Sequence, residues 1–213
     1  MSVQYDLAGQ QRVYEKWAPI YDAVYHKFLS DAHSRTAAAA ARCGTDILEV
    51  GVGTGLILRY YPKDRRVIGV DLSVHMLQKA VEKVRSLGLS HVKLLASMDA
   101  CRLGFADNSF DAVAVPFVIT LVPDPESALD EIRRVLKPGG EIIVTSKLGA
   151  DGGLIPKVEE QLAPLMKKIG WSSHFKVSRL EKWAVRHADM EFIGVEPVFP
   201  AGFFKLVRMR KRP

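Results

Sequence analysis

The run Glu49-Val50-Gly51-Val52-Gly53-Thr54-Gly55 is the part of the chain best suited to hold a ligand. Glycines at alternate positions let a backbone turn tightly and approach a bound molecule with no Cβ in the way. An apolar run at residues 47–50 precedes the loop and reads as a strand. A helical pattern is expected directly after it, and its first unpaired N–H groups would face an anion. A plain tight turn is the modest alternative. Spacing separates two familiar ligands. A dinucleotide fingerprint needs a small residue three positions after the second glycine, where Leu56 stands, and the Gly-Lys-Ser/Thr of a phosphate loop is absent. Asp71 closes a second apolar run, twenty residues beyond Gly51. A carboxylate there can receive both hydroxyls of a ribose, which supports a nucleoside without choosing the cofactor.

The elements that would position these residues alternate along the chain. Strands are expected at residues 47–50, 66–70, 91–96, 110–115 and 141–145. Helices are expected from the Ser73 cap to about residue 86, and from Asp124-Pro125 to residue 136. The turn Lys137-Pro138-Gly139-Gly140 should lead into the fifth strand, and a closing helix-strand-strand unit should cover residues 180–190, 192–199 and 203–209. Such alternation predicts an α/β fold with a mainly parallel central sheet flanked by helices. Ligands then bind beyond the carboxyl ends of the strands. Two segments stand outside this alternation: residues 1–44, which carry no strand pattern, and an insert at 149–179 with a helix at 157–169. Both are candidate lids, giving a division into an N-terminal helical segment, 1–44, and one domain, 45–213.

A chain of 213 residues, 48% hydrophobic and 25% charged, has the composition of a globular protein. It is long enough to bury roughly 70% of its unfolded surface without a staple. Cys43 and Cys101 make neither a disulfide framework nor a zinc site, so no metal is expected and a reducing compartment fits. The longest apolar run, residues 112–122, contains Pro116 and is too short to cross a bilayer. No leader pattern is visible, so a cytoplasmic location is expected. The net charge of +6 is concentrated in Lys205, Arg208, Arg210, Lys211 and Arg212. A basic tail at 203–213 suits an anionic surface, or is merely a solvated end. Tyr14, Trp17, Tyr21, Val24, Tyr25 and Phe28 form a helical stripe broken near Pro19. It can pack a core, or box a cationic acceptor through cation–π contacts worth roughly 0.5–2 kcal/mol each.

The acidic residue-x-Gly-x-Gly-x-Gly loop, with Ser97-Met98-Asp99-Ala100 after the third strand and Leu136-Lys137-Pro138-Gly139-Gly140 before the fifth, resembles the class I S-adenosylmethionine-dependent methyltransferases. The resemblance spans roughly residues 46–147 and implies a Rossmann-like fold. It also implies S-adenosylmethionine as methyl donor, with S-adenosylhomocysteine as product. Glu49, Gly51, Gly53 and Gly55 would cradle the cofactor and Asp71 its ribose. Met98 and Asp99 would meet its adenine, and Tyr14, Leu72, Met76, Ala100 and Pro116 complete the implied set.

The acceptor is read from further residues. Val115-Pro116-Phe117 lacks the polar first residue that amino-methyltransferases of nucleic acids place there, so no nucleic-acid partner is expected. The segments Tyr14-Glu15-Lys16-Trp17-Ala18-Pro19-Ile20-Tyr21-Asp22, Val118 to Glu126, Leu162 to Leu165 and Gly170-Trp171 are similar to the bacterial phospholipid N-methyltransferases. That family converts phosphatidylethanolamine stepwise to phosphatidylcholine. The resemblance implies a phospholipid substrate and peripheral association with the anionic inner face of the membrane. Tyr21 and Tyr25 would orient the amine and Phe117 would wall it, with Lys147, His174 and Arg179 for proton or phosphate handling. Ser146-Lys147 departs from the Asn-His frequent in the family, which leaves the proton acceptor open. Quinone-biosynthesis C-methyltransferases share the tyrosine-rich opening, so a C- or O-methyltransferase of a quinone-like acceptor is the alternative. A non-catalytic cofactor-binding module is the second.

Overall fold

The computed structural model describes residues 29–149, 175–198 and 202–213. Tyr14, Tyr21, Tyr25, His174 and the expected helix at 157–169 lie outside the described residues. The described elements are α1 (Ser30–Ala41), β1 (Asp46–Val50), a 3-10 turn (Leu58–Tyr60), β2 (Arg66–Asp71), α2 (Val74–Ser86), β3 (Val92–Ser97) and β4 (Phe110–Pro116). They continue with α3 (Pro125–Val135), β5 (Leu136–Ser146), α4 (Val177–Arg186), β6 (Met190–Val198) and β7 (Phe204–Lys211). One seven-stranded sheet runs in the order β3-β2-β1-β4-β5-β7-β6. The first five strands in that order pair in parallel, and β7 is antiparallel to both of its neighbours. This is the Rossmann-like α/β architecture expected.

Period-2 alternation sends neighbouring side chains to opposite faces of the sheet. On β4, Val113 and Val115 join Leu129, Ile132, Leu180 and Trp183 under α3 and α4. Ala112 and Ala114 point the other way, toward Ala37 and Ala40 of α1. Small residues on both partners let α1 lie close to the sheet, which gives the alanine run a packing role beyond helix propensity. Ala32, Ala37 and Ala40 are fully buried. The expected boundary at residue 44 is therefore corrected. From Ser30 onward, the N-terminal segment is a core layer of the domain and not a lid over it.

Local signals fix the helix starts. The Ser73 hydroxyl accepts from the Met76 amide, and Asp124 accepts from both the amide and the hydroxyl of Ser127, with Pro125 opening α3. Two expectations need revision. The helix after the glycine loop is a single 3-10 turn, Leu58–Tyr60, because Pro62 and the polar run to β2 leave no room for more. The loop is thus not followed directly by a long helix. Most of the basic tail is a strand, and four of its five cations are engaged. Arg208 and Arg210 both pair with Glu141 at 2.8 Å, Lys211 donates to the Arg133 and Leu136 carbonyls, and Arg212 donates to that of Ala188. Burial works against the Glu141 charge, but the two guanidinium groups outweigh it and hold its carboxyl below the usual range. The turn before the fifth strand survives as a bulge. Phe110 pairs with Leu136 and Ala112 with Glu141, leaving residues 137–140 looped out.

Candidate functional site

A cavity of about 250 Å³ opens beyond the carboxyl ends of β1, β2 and β4. The glycine loop forms its floor. After β1, the amides of Gly51 and Val52 both donate to the Val70 carbonyl, at 2.8 and 3.0 Å, so the loop folds back over β2. Gly51 has φ +75°, and a Cβ there would meet Val118 at 2.5 Å, so only glycine fits. Gly53 has φ +54° and open space where its Cβ would stand. Gly55, expected at the cofactor, does not border the cavity. It lets the loop pack on Leu58 and Ala80.

Asp71 closes β2 with both oxygens engaged. Oδ2 accepts from the Gly53 amide at 2.8 Å and Oδ1 from the Ser73 amide at 2.9 Å. Each oxygen keeps a lone pair for a ligand hydroxyl. Burial raises the Asp71 pKa against the opposing pull of these amides. Leu72 and Met76 border the cavity next to it, and Met98, Asp99 and Ala100 approach from the loop after β3. Asp99 is fixed by the Cys101 amide, which donates to Oδ1 at 2.9 Å.

Glu49 is fully buried and borders the same cavity, and neither carboxylate oxygen has a hydrogen-bond partner. Burial drives its pKa to about 8, assisted by the Asp71 charge and opposed by the nearby Tyr61 phenol. The Tyr61 hydroxyl is itself buried without completing a hydrogen bond. Burying an ionisable group without a partner costs several kcal/mol, so this arrangement suits a cationic ligand that arrives to meet it.

Another wall of the cavity comes from the end of β4. Pro116, Phe117, Val118 and the turn Leu121-Val122-Pro123 border the cavity. Phe117 has φ +57°, a conformation rare for an aromatic residue, and its amide donates to the Thr145 carbonyl. Its ring stands edge-on to Phe204 at 5.0 Å and to His33 of α1 at 5.7 Å. Phe117 thus borders the cavity.

Lys147 and Arg179 do not border the cavity. The Lys147 ammonium lies over the Phe203 ring at 4.5 Å, and Arg179 is paired with Glu126 between α4 and α3. The sequence reading did not single out His33, Thr54 and Ile57, which do border the cavity. The sequence singles out the Val118 to Glu126 segment only by its resemblance, and His33 lies in an alanine-rich helix with no motif around it. Among the described residues, no group of three His, Cys, Asp or Glu side chains could hold a metal.

Residues 48–144 match a family model described as a methyltransferase domain. An S-adenosylmethionine-dependent methyltransferase of Thermotoga maritima superposes with a TM-score of 0.67 at 23% identity, over 94% of this chain and 99% of that one. Another from Aquifex aeolicus gives 0.65 at 18%, over 92% and 97%. At these identities the likeness is one of fold. A demethylmenaquinone methyltransferase of Listeria welshimeri is 34% identical over 140 residues, 62% of this chain and 59% of its own length. A phosphatidylethanolamine N-methyltransferase of Cereibacter sphaeroides is 38% identical over 207 residues, 97% of this chain and 100% of that one. The matched domain and the full-length relative together define a methyltransferase. With identity running the length of both proteins, the chain belongs to the phosphatidylethanolamine N-methyltransferase family.

Proposed function

We propose that the chain transfers methyl groups from S-adenosylmethionine to the amine of phosphatidylethanolamine and of its mono- and dimethyl derivatives. The supporting observation is the match to the Cereibacter sphaeroides enzyme over 97% of this chain. The match to the demethylmenaquinone methyltransferase stops at 62% of it, so it bears on the shared domain more than on the acceptor.

The residues present fit the cofactor. The backbone at Gly51 and Gly53 would lie against it, Asp71 would receive its ribose hydroxyls, and Met98 and Asp99 would meet its adenine. Leu72, Met76, Ala100 and Pro116 would border it. When bound, S-adenosylmethionine supplies a methyl group already activated on a sulfonium. The unpartnered Glu49 carboxylate supports this fit, because it favours positive charge in the cavity. Positioning is the main task left to the protein, and orientation alone can supply roughly 7–11 kcal/mol of a barrier. The Phe117 wall would hold the acceptor nitrogen in place, with Tyr21 and Tyr25, outside the described residues, to orient it.

Lipid vesicles containing phosphatidylethanolamine, incubated with labelled S-adenosylmethionine and then separated by headgroup, test this reading. Label in the mono-, di- and trimethylated lipids is expected. No labelled lipid, with turnover of a quinone-like acceptor instead, overturns it. A lipid acceptor also calls for peripheral contact with a membrane. No helix among the described residues is long and apolar enough to cross one. Leu72 and Val74, 50% and 58% exposed, offer apolar surface next to the cavity. Flotation with vesicles is the expected result.

A further inference from the structure

The acceptor nitrogen must shed a proton for each methyl group it gains, and four titratable side chains border the cavity among the described residues: His33, Glu49, Asp71 and Asp99. Asp71 and Asp99 are held by backbone amides. Glu49 belongs to the glycine-loop side. Of the four, His33 is the one whose ring packs against Phe117, the residue proposed above to hold the acceptor nitrogen. It is 6% exposed, and its ring is set by Phe117, edge-on at 5.7 Å, and by Tyr60 at 6.2 Å. Phe117 is itself locked in its unusual conformation against Thr145 and Phe204. The backbone of His33 is tied down too, its amide donating to the Leu29 carbonyl at 2.9 Å.

We propose that His33 is the group that receives the proton from the acceptor amine. The proposal rests on the N-methyltransferase reading above. An alkylammonium with a pKa near 10 is free amine in only about one molecule in a thousand at neutral pH. The proton passes from the ammonium nitrogen to a ring nitrogen of His33. The N–H bonding pair stays on the amine as the lone pair that forms the new N–C bond, and the imidazolium returns its proton to water. Imidazole titrates close to the working pH, where a general base is most effective.

Other charged groups near α1, among the described residues, are the following. On the 3-10 turn, Tyr60 carries the Arg59 guanidinium over its ring at 5.0 Å. Glu49, Asp71 and Asp99 share the cavity from the loop side. On α1 itself, Asp31 is in the first turn and Arg35 is paired with Glu196 of β6. Glu141 of β5 and Arg208 of β7 act at the far end of the helix, near Cys43. Lys147 is drawn off to Phe203.

The test compares wild-type protein with His33→Gln and His33→Asn on phosphatidylethanolamine vesicles, across pH. Expected is a fall in kcat of about a hundredfold or more at neutral pH, with cofactor affinity and Tm near wild type. In the variants the deficit should narrow as pH rises, because the free amine becomes roughly tenfold more abundant per unit. Parallel pH profiles, or an unchanged kcat, would overturn the proposal by leaving His33 a packing role. A second readout needs no variant. In labelled wild-type protein saturated with S-adenosylhomocysteine, the His33 ring is titrated by NMR with and without glycerophosphocholine. The fixed cation of that headgroup should lower the ring's pKa, and no shift counts against contact. If wild-type protein leaves phosphatidylethanolamine unmethylated, the underlying reading fails and the proposal with it.

Discussion

The hydroxyls of Thr36 on α1 and Thr145 on β5 lie 2.6 Å apart, and both residues are fully buried. Thr36 spends its own hydrogen on the Ala32 carbonyl, one turn back at 2.6 Å. Thr145 must therefore be the donor of the pair. This single bond pins α1 to the sheet one helical turn from His33.

The direction of that bond makes the two threonines unequal. Thr36→Val leaves the Thr145 hydroxyl buried with no acceptor, at a cost of about 1–3 kcal/mol. Thr145→Val leaves Thr36 bonded to Ala32 and costs less, and valine suits a strand. Urea unfolding of both variants checks the order, and equal losses would contradict the donor assignment.

The glycine loop separates folding from binding. Gly51→Ala drives a Cβ into Val118 at 2.5 Å and should cost stability before cofactor affinity is considered. Gly53→Ala carries only the strain of a left-handed residue, roughly 1–2 kcal/mol, because nothing lies within 4 Å of its new carbon. That carbon points into open space at the cavity. Calorimetry should therefore find folded Gly53→Ala with S-adenosylhomocysteine affinity much reduced. Affinity equal to wild type would remove Gly53 from the cofactor site.

Glu49 predicts a pH dependence. Its pKa is near 4.5 when unfolded and about 8 when folded. Between those values the folded state holds a proton that the unfolded state has released, so stability declines as pH rises across this window. The contribution is fully present below pH 4.5 and lost once the folded pKa is passed. Glu49→Gln should abolish this slope and be more stable than wild type at pH 9, with no advantage at pH 4. Bound cationic cofactor lowers the Glu49 pKa, so wild-type binding should release protons, measurable by calorimetry in buffers of different ionisation enthalpy.

Glu141 predicts the opposite sign. Its carboxyl is held below the usual range, so its contribution is present at neutral pH and lost as pH falls through the folded pKa. Arg208→Ala should flatten that acid limb. It should cost less than the about 3–5 kcal/mol of breaking a fully buried pair, because Arg210 remains and Arg208 is 24% exposed. Deleting residues 208–213 should unfold the protein, so salt-sensitive vesicle binding is better probed with Lys205→Ala.

Local rules made much of this legible. The Ser73 and Asp124 caps, the glycine loop and Asp71 each depend on neighbours within a few residues, and their positions in the chain carry the information. Partners distant in sequence were invisible. Arg208 meets Glu141 across 67 positions, and no spacing pattern announces such a pair. His33 reaches the cavity only because α1 packs on β4, and Phe117 gains its role from a backbone conformation that no composition encodes. Gly55 misled for a related reason, since a motif glycine can serve packing as readily as a ligand.

The place of β7 in the sheet also sets an order of events during synthesis. β7 is made after β6 yet lies between β6 and β5. While the ribosome is still making the chain up to residue 198, the hydrogen-bonding edge of β5 is open and β6 has no strand to join. Both are then exposed to other chains, as unpaired strand edges are. Completion waits for the eight residues of β7, Phe204–Lys211, which close both edges in one step. Those residues act as a keystone, so a ribosome stalled just short of them leaves a nascent chain with its glycine loop already made and its sheet still open.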